Sequence, residues 1–562
     1  MKNGVFVVEV SFEVANKVGG IYTVLASKAS QMMKHFPNYL AIGFYNPSTS
    51  PQDFTSKTPS IEMENVLREL SNEGIIAHYG IWIGGSNAPC ILLETHRYMN
   101  AIVDQNDFYR RISDSTLPGA SVNRIASHVI KRRNWELFKI DSYHTPLSYD
   151  EPISWSEAVG HLLELLVKSP LFKDKEMVVF AHEWLSAGVI FRKKAKNLSY
   201  RTIFVTHATV SGRVESSLGI DIVTKMSNGL AKGEQFQVQS AYERGIAALH
   251  LTEVAAANNA DLFATVSKLA AKEAEYYLGK APDIILTNGF DITKYKSFSE
   301  IRRTHYVNRE KILGFIEAFF SPYYEVETTN CIILTTSGRY EFRNKGFDLL
   351  IETLAKLNQE LNKSRNANPI YAFFLVPSNV KGINSEVLDA IMYYHDVKAM
   401  LEPIAEYFQK RLANAIVQRK YTLLNKTLNE LIGERIALQS FLEKATATTP
   451  VSIEKNCAPL STHDYLYSPD PIIDHCWNLG LRNEKDDVVK VIVIPSYLSK
   501  NKPPLFLDYF DFLNGCDIGI FPSKYEPFGL TPVEAAANGC LAVTTDLAGF
   551  GIELINLGKA SE

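Results

Sequence analysis

Short apolar runs rich in β-branched residues recur along most of the chain, each ending in a loop that carries Gly or His and leading into helical spacing. They are Val5-Phe6-Val7-Val8, Val178-Val179-Phe180, Ile203-Phe204-Val205, Ile284-Ile285-Leu286, Ile332-Ile333-Leu334, Val491-Ile492-Val493-Ile494, Ile518-Gly519-Ile520-Phe521 and Leu541-Ala542-Val543. A strand buried on both faces by crossover helices reads as a continuous apolar run, so this rhythm predicts an α/β protein with parallel sheets. Ligands of such sheets bind beyond the carboxyl ends of the strands, which directs attention to the residues just past each run. A polar stretch from Lys294 to Thr329 parts two series of runs and predicts a hinge. The expected organisation is an N-terminal α/β lobe over 1–300 and a C-terminal one over 301–562, with a cleft between them. Residues 383–445 lack strand runs and show helical spacing instead, with Leu401, Ile404, Phe408 and Leu412, then Leu424, Leu428 and Leu431. They predict a helical insertion in the C-terminal lobe. Either it packs on its own lobe as a hairpin or it forms a coiled-coil-like homo-oligomer contact, Pro403 and Gly433 interrupting its periodicity.

Composition narrows the partners. The chain has 562 residues, 46% hydrophobic and 21% charged, enough to bury sizeable cores, and its 58 basic against 62 acidic residues give a net charge of −4. Without a basic excess, nucleic acid is not an expected partner. The six cysteines lie far apart with no C-x-x-C pair, which fits a reducing compartment. The apolar start is short and interrupted by Glu9, unlike a signal peptide, and no run approaches the roughly 20 apolar residues of a membrane span. A cytoplasmic protein without membrane association is expected.

Five loops could carry chemistry. Glu13-Val14-Ala15-Asn16-Lys17-Val18-Gly19-Gly20 lies between the first strand and a helix, where the glycines admit close approach, Lys17 adds charge, and free helix N–H groups could meet an anion. It matches neither G-x-G-x-x-G nor a phosphate-binding P-loop, because the lysine precedes the glycines. His182 in Ala181-His182-Glu183-Trp184 and His207 in Thr206-His207-Ala208-Thr209, with Arg213 beyond, sit at strand ends, as candidate ligand-binding groups or as loop-orienting ones. No His/Asp/Glu set has the local spacing of a metal motif, so neither metal nor cofactor is expected. Ser337 to Gly346 places Arg339 and Lys345 on one strand-to-helix loop, a cationic cradle suited to a diphosphate or else a solvated charged loop. Lastly, Phe521 to Glu534 carries Glu526 in a Pro/Gly-bounded loop, while Thr531-Pro532-Val533-Glu534 also reads as a capping box.

Taken in order, Glu13 to Thr23 (EVANKVGGIYT), Thr206 to Arg213 (THATVSGR), Thr287 to Ile292 (TNGFDI), Gly338 to Gly346 (GRYEFRNKG), Tyr525 to Glu534 (YEPFGLTPVE) and Ala548 to Gly551 resemble the glycogen synthase family of the animal and fungal type, retaining glycosyltransferases of GT-B architecture. The two glutamates eight apart are shared by many retaining glycosyltransferases; the GRYEFRNKG string is far more specific. The resemblance implies two Rossmann-like lobes facing across a cleft, UDP-glucose as donor and glycogen or another α-1,4-glucan as acceptor. By motif, Arg339 and Lys345 would hold the diphosphate and Glu534 the ribose. Lys17, Gly19 and Gly20 would meet the phosphate or sugar, His207 and Arg213 would border both, and Glu526 would face the glucose near the reacting carbon. Asn288 would line the donor cleft, and His182 is grouped with the substrate-binding residues. Alternatives are a related enzyme using ADP-glucose or another acceptor, and a non-catalytic glucan-binding scaffold. Only eleven residues follow Gly551, where the family continues with further helices and, in regulated members, an arginine-rich helix that senses glucose 6-phosphate, so the sequence leaves activation by a hexose phosphate open.

Overall fold

The computed structural model describes residues 4–17, 19–95, 125–172, 175–364, 367–419 and 457–561. They form two compact units. One comprises 1–294 with 524–530 and 545–562, the other 295–523 with 531–544. Segments 524–530 and 545–562, expected in the C-terminal lobe, thus pack with the first unit.

The first unit is built on a nine-stranded sheet in the order β3-β4-β5-β2-β1-β6-β7-β8-β9. Its strands are β1 (Val5–Val10), β2 (Asn38–Phe44), β3 (Phe54–Ser56), β4 (Ile76–Trp82), β5 (Ala88–Glu94), β6 (Glu176–His182), β7 (Arg201–Thr206), β8 (Leu262–Thr265) and β9 (Ile284–Ile285). All neighbours pair in parallel except at β3–β4 and β4–β5. The chain builds outward from β1 to β2 and then returns to β6 on the other side of β1, which makes the carboxyl ends of β1 and β6 a topological switch point. Helix Leu147–Lys168 lies on the sheet, burying Ile153, Trp155, Val159, Leu162 and Leu166 against Val8, Val10 and Val179.

The second unit holds a five-stranded, wholly parallel sheet, β14-β11-β10-β15-β16, from β10 (Ile332–Ser337), β11 (Ile370–Leu375), β14 (Val489–Ile494), β15 (Ile518–Phe521) and β16 (Leu541–Thr544). A separate antiparallel pair joins β12 (Val380–Ile383) to β13 (His463–Tyr465). Side chains alternate across the main sheet with the period of two that strands impose. Phe373 and Ile492 enter a cluster with Phe315, Phe319 and Phe512, while Phe374, Val491 and Val493 enter the opposite one with Phe347, Ile351 and Leu354. Each fully buried Phe or Ile of this kind contributes about 1.5–3 kcal/mol by leaving water. The switch point here lies between β10 and β15.

The α/β class and its parallel sheets are as the apolar runs predicted. The stretch read as a hinge begins where the first unit ends, at Lys294, but most of it is helix. Residues 298–320 form one helix, started by a capping box in which Ser297 and Glu300 bond reciprocally, and its apolar side inserts Ile312, Phe315, Ile316, Phe319 and Phe320 into the second unit's core. The stretch reads as polar because its first three turns are exposed or half-buried apart from Asn308, while its apolar burial is concentrated at the end. In the expected insertion, helix Ser385–Val417 opens on Asn384, whose side chain accepts a bond from the Val387 amide, and runs through Pro403 with Leu401 and Leu412 exposed. The rest of that insertion, including Leu424, Leu428, Leu431 and Gly433, lies outside the described residues. No helix among the described residues is long and apolar enough to cross a membrane.

Candidate active site

Glu9 occupies the middle of the β1–β6 switch region, wholly buried in a strand otherwise made of Val and Phe. A charge there requires partners. Lys28 supplies one, its Nζ 2.6 Å from Oε1, and the Nε2 of His182, the last residue of β6, supplies the other at the same oxygen. Burial pushes the Glu9 carboxyl up, yet the Lys28 and His182 interactions outweigh it and hold the group below its ordinary value. The other ring nitrogen of His182, Nδ1, lies 2.9 Å from Nε2 of His207 in the loop after β7. Burial lowers both imidazoles, His207 well below its usual range with nearby His182 and Lys28 adding to the shift, so both rings are neutral near pH 7.

Around His207 the backbone is held by carboxylates. Glu183 Oε1 accepts from the amides of His207 at 2.9 Å and Ala208 at 3.3 Å, and Glu183 itself sits at φ 62°, a costly conformation outside glycine that these bonds and the strand end impose. Glu273 Oε1 accepts from the Thr209 amide and hydroxyl at 2.9 and 2.8 Å, and Glu253 Oε2 from the Val210 amide at 2.8 Å. The N-terminus of helix Val210–Ser217 is therefore covered from inside the protein. Burial raises Glu273 to about 7 and Glu253 well above its ordinary value. Glu273 also accepts from the Tyr525 hydroxyl, which fastens the loop carrying Glu526; the Glu526 backbone is bound on both sides, to Leu547 at 3.2 Å and Gly549 at 3.0 Å. Arg213, with its side chain 44% exposed, reaches to 3.9 Å from Glu183.

The Lys17-to-Gly20 loop differs from expectation. Glu13 Oε2 accepts from the amides of Gly19 and Tyr22, both at 2.9 Å, so the amide of the N-cap residue and that of the third helical residue are occupied by a carboxylate of the same loop. Lys17 is exposed, 5.9 Å from the Tyr22 ring centre. Asn288 is half-buried in the coil after β9 at the end of the sheet.

In the second unit the loop after β10 carries Arg339 and Lys345 as its sequence suggested. Lys345 is 9% exposed, and its aliphatic chain passes over Gly338, where an added Cβ would lie 3.3 Å from Cδ and Cε. Gly346 has φ +67°, and a Cβ there would fall 2.0 Å from the Pro522 carbonyl oxygen, so only glycine lets the loop after β10 close against the loop after β15. Arg339 remains 60% exposed and pairs with Glu341 at 3.0 Å, and Asn344 donates to the same Glu341 at 2.8 Å. Glu534 lies in helix Thr531–Ala537. Its charge bears on Tyr509, whose hydroxyl shares a 2.8 Å bond with Ser337 and whose ionisation is pushed out of range, chiefly by burial. Among the described residues no three His, Cys, Asp or Glu converge as a metal site.

Within the first unit the fold therefore brings His182 and His207 into contact and joins the His207 and Glu526 loops through Glu273. Within the second it gathers Arg339 and Lys345 on one switch-point loop. Sequence reasoning missed Glu9, Glu183, Glu253 and Glu273. Glu9 interrupts an apolar strand, and Glu253 sits in the apolar helix Ala247–Asn259, so a charge inside a buried pattern was the available signal.

Comparison with known proteins gives a consistent picture. A family model described as glycogen synthase matches residues 9–115 and 119–559. The Dictyostelium discoideum "Glycogen [starch] synthase" is 31% identical over 96% of this chain and 57% of its own length. The Neurospora crassa protein of the same name is 30% identical over 97% of this chain and 72% of its own, and the human liver "Glycogen [starch] synthase" likewise 30% over 97% and 72%.

Proposed function

This chain belongs to the glycogen synthase family, and we propose that it transfers glucose from UDP-glucose to the 4-hydroxyl of an α-1,4-glucan such as glycogen, with retention of configuration and release of UDP. The observation that carries the reading is the loop 338–346, where Gly338 and Gly346 give Lys345 a close-packed, largely buried course beside Arg339 at the strand edge. A departing diphosphate needs its growing negative charge met by preorganised positive groups, and these two cations are of the right kind. Glu534 serves the ribose hydroxyls, while Lys17, Gly19, Gly20, Arg213 and Asn288 serve the sugar and phosphate region.

The transfer we favour takes place on one face of the sugar. The bond from the glucose anomeric carbon to the UDP oxygen breaks, an oxocarbenium-like centre develops, and the glucan 4-oxygen attacks the same face. The proton of that hydroxyl passes to a phosphate oxygen of the departing UDP. Glu526 orients the glucosyl group and stabilises its positive charge. A retaining glycosidase would instead use a carboxylate nucleophile across the ring. The protein acts in the cytoplasm, and helix Ser385–Val417 contributes to a contact between copies; a strictly monomeric protein in sedimentation would remove that last element.

A donor panel with glycogen as acceptor, following nucleoside diphosphate release and chain extension, tests the reading. Turnover with UDP-glucose is expected. Preference for ADP-glucose would correct the donor, and glycogen binding without turnover on any donor would favour the scaffold. Glu526→Gln should abolish transfer and retain UDP binding; wild-type activity in that variant would remove Glu526 from the site.

A further inference from the structure

We propose that Glu9 and His182 are positioning residues that hold His207 with its proton on Nε2, so that Nδ1 of His207 stands as a hydrogen-bond acceptor for a hydroxyl of the bound sugar. The sugar part rests on the function proposed above; the proton arrangement does not.

The reasoning runs along one chain of contacts. Glu9 is completely buried and ion-paired to Lys28 at 2.6 Å, so its carboxylate can only accept. His182 Nε2 faces that carboxylate and must carry the ring's proton. His182 is 2% exposed and lies between two partners, with no carboxylate at Nδ1; a neutral ring then has a lone pair there. The group 2.9 Å away is Nε2 of His207, which must therefore be the donor. A neutral His207 has one proton, and that bond uses it. Nδ1 is left with its lone pair and, among the described residues, no hydrogen-bond partner. The backbone cannot rotate the ring away easily, since the His207 amide is bound to Glu183 and the next three residues are tied to Glu183, Glu273 and Glu253.

A lone pair recognises an O–H and repels a phosphate oxygen. Hence His207 serves the sugar and not the diphosphate, a distinction that sequence alone left open. His182 reaches the substrate only through His207, because both of its ring nitrogens are occupied inside the protein.

The direct test is NMR of the full chain with ¹⁵N-labelled histidine, His207 being assigned from the signals lost in His207→Asn. The expected result is a neutral His207 protonated on Nε2 near neutral pH. A proton on Nδ1, or an imidazolium, would overturn the proposal. Glu9→Gln keeps an acceptor oxygen against Lys28 and His182 and should leave the His207 proton on Nε2, whereas Glu9→Leu removes that acceptor and should let the proton move toward Nδ1; an unchanged tautomer in Glu9→Leu would show that Glu9 does not set it. Kinetics supply the second arm. His182→Asn puts an amide oxygen near the place of Nδ1 and should retain most of kcat/KM, whereas His182→Leu, which fills similar space without an acceptor, should lose about 10²-fold, in the range of a mispositioned acid–base group. The reverse order would indicate that His182 only packs. If no nucleotide sugar is turned over by the wild-type chain, the transferase reading fails while the NMR result still decides the tautomer.

Discussion

In the first unit the strand-edge loops turn inward onto carboxylates. Glu13 lies under the amides of Gly19 and Tyr22, Glu183 under those of His207 and Ala208, Glu273 under Thr209 and Glu253 under Val210. In the second unit the corresponding loop, 338–346, carries cations instead, and the helix that follows it, Phe347–Leu361, starts at Gly346 without a side-chain cap. The difference matters because a helix N-terminus attracts anions only while its N–H groups face outward. On the function proposed above, the inward-turned loops of the first unit suit a neutral sugar and the cationic loop 338–346 suits phosphate, although both sheets present their loops at a switch point.

The contrast can be broken most severely at its glycines. Gly346→Ala should destabilise the second unit by about 3 kcal/mol or more, combining a left-handed φ with overpacking against backbone. Gly19→Ala should cost less than about 1 kcal/mol, because its Cβ would meet only the end of the Glu13 side chain at 3.1 Å. Urea unfolding of both variants checks this, and equal losses would contradict the packing argument. Next come the cations. Lys345→Ala should lower kcat/KM about 10²-fold or more and weaken UDP binding, the effect of removing one fixed group from a developing charge. Arg213→Ala, more exposed and already beside Glu183, should cost nearer to about 10-fold with UDP affinity little changed. If Arg213→Ala weakens UDP binding as much as Lys345→Ala does, the division between sugar and phosphate sides collapses.

Smaller effects come from pH. Glu253 and Glu273 have carboxyls raised above the ordinary 4.5, Glu273 to about 7. The folded state therefore keeps protons that the unfolded chain releases. Their contribution to stability is full below the unfolded value and declines as pH rises through the folded one, for Glu273 between about 4.5 and about 7. Glu253→Gln should accordingly unfold less readily than wild type at mildly alkaline pH, by about 1 kcal/mol or more, and differ little in mild acid. A pH-independent difference in urea midpoints would argue against a protonated Glu253. Glu13→Ala should cost about 1 kcal/mol at any pH, as loss of an N-terminal cap does.

Several elements were legible before any coordinates. The parallel sheets followed from apolar runs too continuous for strands with one wet face, and Arg339 with Lys345 followed from two cations on one strand-to-helix loop. Other readings failed for identifiable reasons. The stretch read as a hinge does begin where the first unit ends, at Lys294, but its long helix was missed because the polar turns come first and the phenylalanines that anchor it in a core come last. The amides of Gly19 and Tyr22 looked available because the carboxylate that takes them, Glu13, was counted as part of the motif and not as its cap.

What the chain's residues determined by themselves was class and inventory: strands that must be buried, loops that must follow them, and the residue types able to meet a diphosphate or a sugar. Local pattern suffices there because burial and backbone conformation act over a few residues. Only the tertiary structure decided which groups meet. Glu9, His182 and His207 come from three strands' ends and share one line of hydrogen bonds because β1 lies beside β6 and β6 beside β7. Strand order is set by the packing of whole helices and sheets, and a proton's place on His207 depends on it.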